Sequence, residues 1–112
     1  MIRVPLLPDN LTHAWYRWYG YLNLDTIKTG VTREMMMTRI SELGVPISVG
    51  SCSEIYLERS FARCQMAPFE RLPVAQQLGA SSLALLTHPT LSEEAMHYTA
   101  DVLETVLAEN KR

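Results

Sequence analysis

His13–Leu24, HAWYRWYGYLNL, decides the fold, because no other window of the 112 residues joins so many large rings to so clear an alternation. In a pleated strand successive side chains point to opposite faces. That puts Ala14, Tyr16, Trp18, Gly20, Leu22 and Leu24 on one side and His13, Trp15, Arg17, Tyr19, Tyr21 and Asn23 on the other. The first set is mainly apolar, so the spacing predicts a central strand from about Thr12. The second set is half aromatic and half polar, too apolar for open solvent and too polar for a sealed core. It is expected to be covered by a body outside this chain.

Outward from that strand the pattern alternates helix and strand. Met1–Asn10, with Pro5 and Pro8, reads as an extended lead-in. After the turn-like run from Asp25 to Val31, Thr32 is a suitable N-cap and Glu34 a favourable first-turn anion. Met36, Met37, Ile40 and Leu43 recur at helical spacing, and Gly44 and Pro46 stop the helix. Pro46–Val49 predicts a short strand, and GSCS at 50–53 a tight loop. EIYLERSF at 54–61 predicts two helical turns, and 62–71 an irregular stretch. Leu72–Leu78 predicts a helix opened by Pro73 and closed by Gly79. Ser82–Thr87 is a short apolar run between turn residues and predicts a buried strand. Thr90 or Ser92 then caps a long helix whose inner face carries Ala95, Tyr98, Val102, Leu103, Val106 and Leu107.

A chain of this length forms one domain, 1–112, burying about two thirds of its unfolded surface. A net charge of -2 gives no basic field for nucleic acid. No apolar run is long enough to span a bilayer, and the N-terminus has no signal-peptide pattern, so the cytosol is the expected compartment. Cys52 and Cys64 form neither a CxxC pair nor a disulfide framework and are read as free thiols.

The candidate chemistry is thin. His13, Cys52, Cys64, His88 and His97 lack metal-ligand spacing, so no metal site is expected. Cys52 lies in the small-residue loop without an evident base. Glu54 and Glu58 would stand one turn apart on a helix, but Arg59 and Arg63 beside them point to surface ion pairing. No glycine series of phosphate-cradling spacing is present. Met36 and Met37 are read as core, and the aromatic strand face as a protein contact in preference to a base-stacking platform.

The order of these features resembles one family. GVTREMMMTRISELGV at 30–45 and RLPVAQQLGASSLALLTHPTLSEEAMHYTADVLETVL at 71–107 look like the closing domain of the DegT/DnrJ/StrS sugar aminotransferases, and the likeness runs over about residues 12–107. The resemblance implies an α+β fold: a small, mainly antiparallel sheet with helices packed on one face, like the C-terminal small domain of fold-type I aminotransferases. It implies a parent enzyme, commonly a homodimer, that uses pyridoxal phosphate (PLP) to move an amino group from an amino acid to a nucleotide-linked keto sugar. In that family the cofactor lysine belongs to the large N-terminal domain; Lys28 and Lys111, the only lysines here, match neither its place nor its context. The chain alone is therefore expected to be non-catalytic and to bind no cofactor. By position Ser51, Cys52, Glu54 and Tyr56 would stand near the sugar, and Trp15, Tyr19 and Tyr21 would meet the missing domain. VGSCSEIYLERSF departs from the family's usual Tyr-Pro or Pro-Leu-His pattern, which leaves the sugar open. The alternative is a freestanding interaction or dimerisation domain using the same aromatic face.

Overall fold

The computed structural model describes all residues, 1–112. Its strands are β1 (Ile2–Arg3), β2 (Arg17–Leu22), β3 (Ile47–Ser48) and β4 (Ser82–Leu86); its helices are α1 (Arg33–Glu42), α2 (Arg59–Arg63), α3 (Pro73–Ser81) and α4 (Glu93–Glu109). The strands form one fully antiparallel sheet in the order β1-β2-β4-β3.

The alternation read from the sequence holds along β2. Gly20 pairs with Leu83 and Trp18 with Leu85, and these positions share the core face with Leu22. Tyr19 opposite Ala84 and Tyr21 opposite Ser82 share the other face. Helices α1 and α4 close the core face: Met36 and Ile40 from one, and Val102 and Val106 from the other, pack with Leu22, Ile27, Val45, Leu83 and Leu85. Met35 in the same triplet is exposed, as its place off the stripe requires. The caps are those the sequence offers: Thr32 accepts from the Met35 N–H, and Ser92, not Thr90, accepts from the Ala95 N–H.

Four details differ from the sequence reading. The central strand starts at Arg17, not near Thr12, because Trp15 adopts a positive φ of 40° that breaks the extended run. Its N–H bonds to His13 Nδ1 and its carbonyl accepts from Thr87 Oγ1. Tyr16 is consequently exposed and outside the core, and Leu24 opens a 3-10 turn capped by Asn23. Second, the lead-in supplies a strand: Ile2 pairs with Leu22 and Arg3 with Tyr21. Third, 54–61 is not one helix but a 3-10 turn at Ile55–Leu57 followed by α2, because Glu58 is extended between them. Fourth, α3 runs through Gly79 to Ser81 and passes directly into β4.

Candidate functional site

The sheet face away from the core helices carries the aromatic cluster. Trp15, Tyr19 and Tyr21 line one hollow with Arg17, Pro5 and Leu7, so the lead-in flanks the rings without sealing them. All three aromatic residues stay partly exposed. Arg3 stacks its guanidinium 4.6 Å from the centre of the Tyr21 ring, a cation-π contact that holds the ring upright on the strand. Arg17 donates to Ser48 Oγ at 3.3 Å, tying β2 to β3 across β4.

A second hollow adjoins the first through Tyr19 and Tyr21 and is completed by Val49, Ser51, Ser53, Leu78 and Ser82. The loop at 50–53 is drawn into it by close approaches. Gly50 has φ of 85°, and its backbone lies under the Tyr19 ring. Gly79 does the same service on α3: a β-carbon there would stand 2.2 Å from Ser53 Oγ. Tyr19 Oη and Ser51 Oγ are hydrogen-bonded at 3.1 Å, and Ser82 Oγ donates to the Val49 carbonyl at 2.8 Å. The small residues of the loop therefore allow it to dock between a strand and a helix.

The other loop residues face elsewhere. Cys52 is exposed with its sulfur 3.9 Å from Glu58 Oε1. Glu54 and Tyr56 form a latch with Arg71. The Tyr56 hydroxyl donates to Glu54 Oε1 at 2.6 Å and accepts from the Leu72 N–H at 2.9 Å, while Arg71 grips both carboxylate oxygens. Arg71, then Tyr56, hold the Glu54 carboxyl below the usual carboxylate range. Burial, then the Glu54 carboxylate, push the Tyr56 phenol up. Of Ser51, Cys52, Glu54 and Tyr56, only Ser51 lines the aromatic hollows. Sequence reading did not single out Ser53, Arg71 or Ser82. The last small residue of GSCS is a signal for the first; nothing local marks Arg71, 17 positions from its partner.

Phenol and serine hydroxyls beside two guanidinium groups make a surface suited to hydrogen-bonding a polar, oxygen-rich partner. PLP does not fit the lysines of this chain. Lys28 Nζ is committed to the Glu109 carbonyl at 2.7 Å, and Lys111 sits among Leu103, Leu107 and Met1. Neither lines the aromatic hollows, and His13, Cys52, Cys64, His88 and His97 do not converge on a metal-sized group.

No family model matches the sequence, and no curated protein does. Solved structures match it closely. An aminotransferase from Psychrobacter cryohalolentis superimposes with a TM-score of 0.89 and 38% identity, over 97% of this chain and 29% of that one. The aminotransferase TlmJ from Streptoalloteichus hindustanus matches at 0.76 and 20% identity, over 96% of this chain and 26% of its own. A DegT DnrJ EryC1 StrS aminotransferase from Brucella abortus matches at 0.71 and 21%, over 99% of this chain and 26% of its own. The 112 residues thus span little more than a quarter of the aminotransferases they resemble, and they carry the fold of the C-terminal domain of the DegT/DnrJ/StrS aminotransferase family.

Proposed function

We propose that residues 1–112 serve as the C-terminal small domain of a PLP-dependent nucleotide-sugar aminotransferase. The observation that carries this reading is the 38% identity with a TM-score of 0.89 to an aminotransferase in which the matched segment is 29% of the chain. On this reading the N-terminal part of the parent holds PLP and its lysine, and this chain performs no transamination alone. Its work is to wall the substrate entrance and to pack against the large domain. Ser51 and Cys52 present a hydroxyl and a thiol at the loop surface, and the latched Glu54 and Tyr56 fix that loop in place. Trp15, Tyr19 and Tyr21 form the face that meets the large domain, which explains why their rings stay partly open here. The parent is a cytosolic homodimer acting on a nucleotide-linked keto sugar with an amino-acid donor. That same open aromatic face also favours a second reading, a freestanding domain that dimerises through Trp15, Tyr19 and Tyr21.

A chimera tests the proposal: residues 1–112 replace the matched segment of the Psychrobacter aminotransferase. It is expected to regain the visible absorbance of bound cofactor and to transaminate, whereas the 112-residue chain alone shows neither. A chimera that binds cofactor no better than the enzyme with that segment deleted sinks the aminotransferase reading. A purified 112-residue chain that dimerises, with Tyr19→Ala and Tyr21→Ala returning it to monomer, favours the second.

A further inference from the structure

Trp15, at φ of 40°, is one of only two residues other than glycine with a positive φ. A bulky side chain rarely enters that region and stays there only where surrounding bonds over-determine it. Two bonds act on Trp15. Thr87 Oγ1 donates to its carbonyl, and its own N–H donates to His13 Nδ1 at 2.8 Å. The imidazole and indole rings lie 4.4 Å apart with their planes tilted by 34°, so one histidine both receives the amide and backs the ring. A ring nitrogen accepts only when it carries no proton, so this is the arrangement of a neutral His13 with its hydrogen on Nε2.

We propose that His13 is a pH-sensitive catch on Trp15: protonation of the imidazole withdraws the acceptor and lets residues 15 and 16 swing into extended backbone, reshaping the aromatic hollow. In the imidazolium both nitrogens are donors, so Nδ1–H would point at the Trp15 N–H with no other acceptor in that bond. Continuing the pairing of Arg17 with Leu86 would then set Tyr16 opposite Thr87 and Trp15 opposite His88. The groups around His13 do not offset its charge. In the hollow it lines, the lead-in contributes only Pro5 and Leu7, and the strand side contributes Arg17 with the phenols of Tyr16, Tyr19 and Tyr21. His88, with Ala14 and Thr87, lines the hollow on the other side of Trp15. Its Nδ1 accepts a like bond from the Thr90 N–H at 3.3 Å, but the Thr90 hydroxyl also lies 2.7 Å from that nitrogen. A protonated His88 can donate to this hydroxyl and keep its turn, so the acid response belongs to His13. Asparagine makes the same bond to the second residue on without titrating, as Asn23 Oδ1 does in accepting from the Asp25 N–H at 3.2 Å. The catch lies wholly within these 112 residues and does not depend on the aminotransferase reading.

The test follows the Trp15 amide–Hα cross-peak by NMR in the 112-residue chain from about pH 8 to about pH 5, the range in which histidines change charge. A positive φ brings those two protons close together, and an extended backbone separates them. Glu54 is held below the usual carboxylate range, so its latch stays charged throughout. The cross-peak is expected to weaken in step with the His13 ring titration in the parent and in His88→Gln. It should stay strong at every pH in His13→Asn and be weak at every pH in His13→Ala. Unchanged amide resonances of β4 and α4 show that each variant is folded. A cross-peak that keeps its strength while the His13 ring titrates overturns the catch. So does one that weakens in His13→Asn as it does in the parent, stays strong in His13→Ala, or ceases to respond in His88→Gln.

Discussion

The ring of Tyr19 rests on the backbone of Gly50 so closely that a β-carbon built there would stand 2.3 Å from Tyr19 Cε1. Gly50 also sits at φ of 85°, where an L side chain is strained. Both effects oppose any substitution, and both act where the loop meets the aromatic strand. Gly50→Ala is expected to lower stability by more than about 1–2 kcal/mol, the cost of the left-handed backbone alone, and to loosen Ser51 from Tyr19. Urea denaturation reads the first; a loss below about 0.5 kcal/mol, within the ordinary surface range, would contradict the close approach.

Arg33 joins three elements through one guanidinium. From the first turn of α1 its Nη1 donates to the carbonyl of Gly79 in α3 and, at 3.4 Å, to that of Ser82 opening β4, with the side chain only 14% exposed. Its Glu34 partner is exposed and adds little. Arg33→Ala leaves two carbonyls without their charged donor and is expected to cost about 1.5–3 kcal/mol. Lysine should restore only part of this, because a single ammonium lacks the guanidinium's fixed fork. Full rescue by Arg33→Lys would show that charge, not geometry, is what the junction uses.

The core was legible because it obeys two simple periods. Leu22 and Trp18 announce themselves by alternation along β2, and Met36, Ile40, Val102 and Val106 by helical spacing. What stayed hidden depends on single backbone angles or on partners distant in sequence. Trp15 enters the left-handed region, which periodicity does not encode, so the strand starts later than alternation alone predicts. Gly79 looked like a helix end but is a point of contact, since the missing side chain admits Ser53. The latch unites Glu54 and Tyr56 with Arg71 across a stretch with no pattern of its own, and its closing partner lies 17 positions away.

The methionine triplet gives a clean contrast. Met36 is 1% exposed within the core cluster, whereas Met35, one residue earlier, is 55% exposed. Met36→Ala leaves a cavity between α1 and the sheet and is expected to cost about 2–5 kcal/mol. Met35→Ala, by contrast, should stay within about 0.5 kcal/mol of the parent. Denaturation midpoints of the two variants compared side by side check the register of α1; equal losses would mean the helix is rotated about its axis.

The Glu54 latch makes stability depend on pH in a defined direction. Arg71 first and Tyr56 second favour the charged carboxylate, so its folded pKa lies below the unfolded value of about 4.3. A depressed carboxyl contributes stability that is complete above the unfolded pKa and is lost as pH falls through the folded one. Glu54→Gln keeps the shape, removes the charge and does not titrate. The gap in denaturation midpoint between parent and variant is therefore expected to be constant above about pH 5 and to close steadily below it. Glu34, also held low by its own backbone N–H and then by Arg33, titrates in both proteins and cancels from the comparison. Arg71 is half exposed, so salt near 1 M, with a Debye length of about 3 Å, should shrink the gap at neutral pH. The midpoints at pH 7 and near pH 3, each with and without salt, decide the matter. A gap that ignores both pH and salt would mean the carboxylate at position 54 is held by shape alone, with Arg71 contributing nothing through its charge.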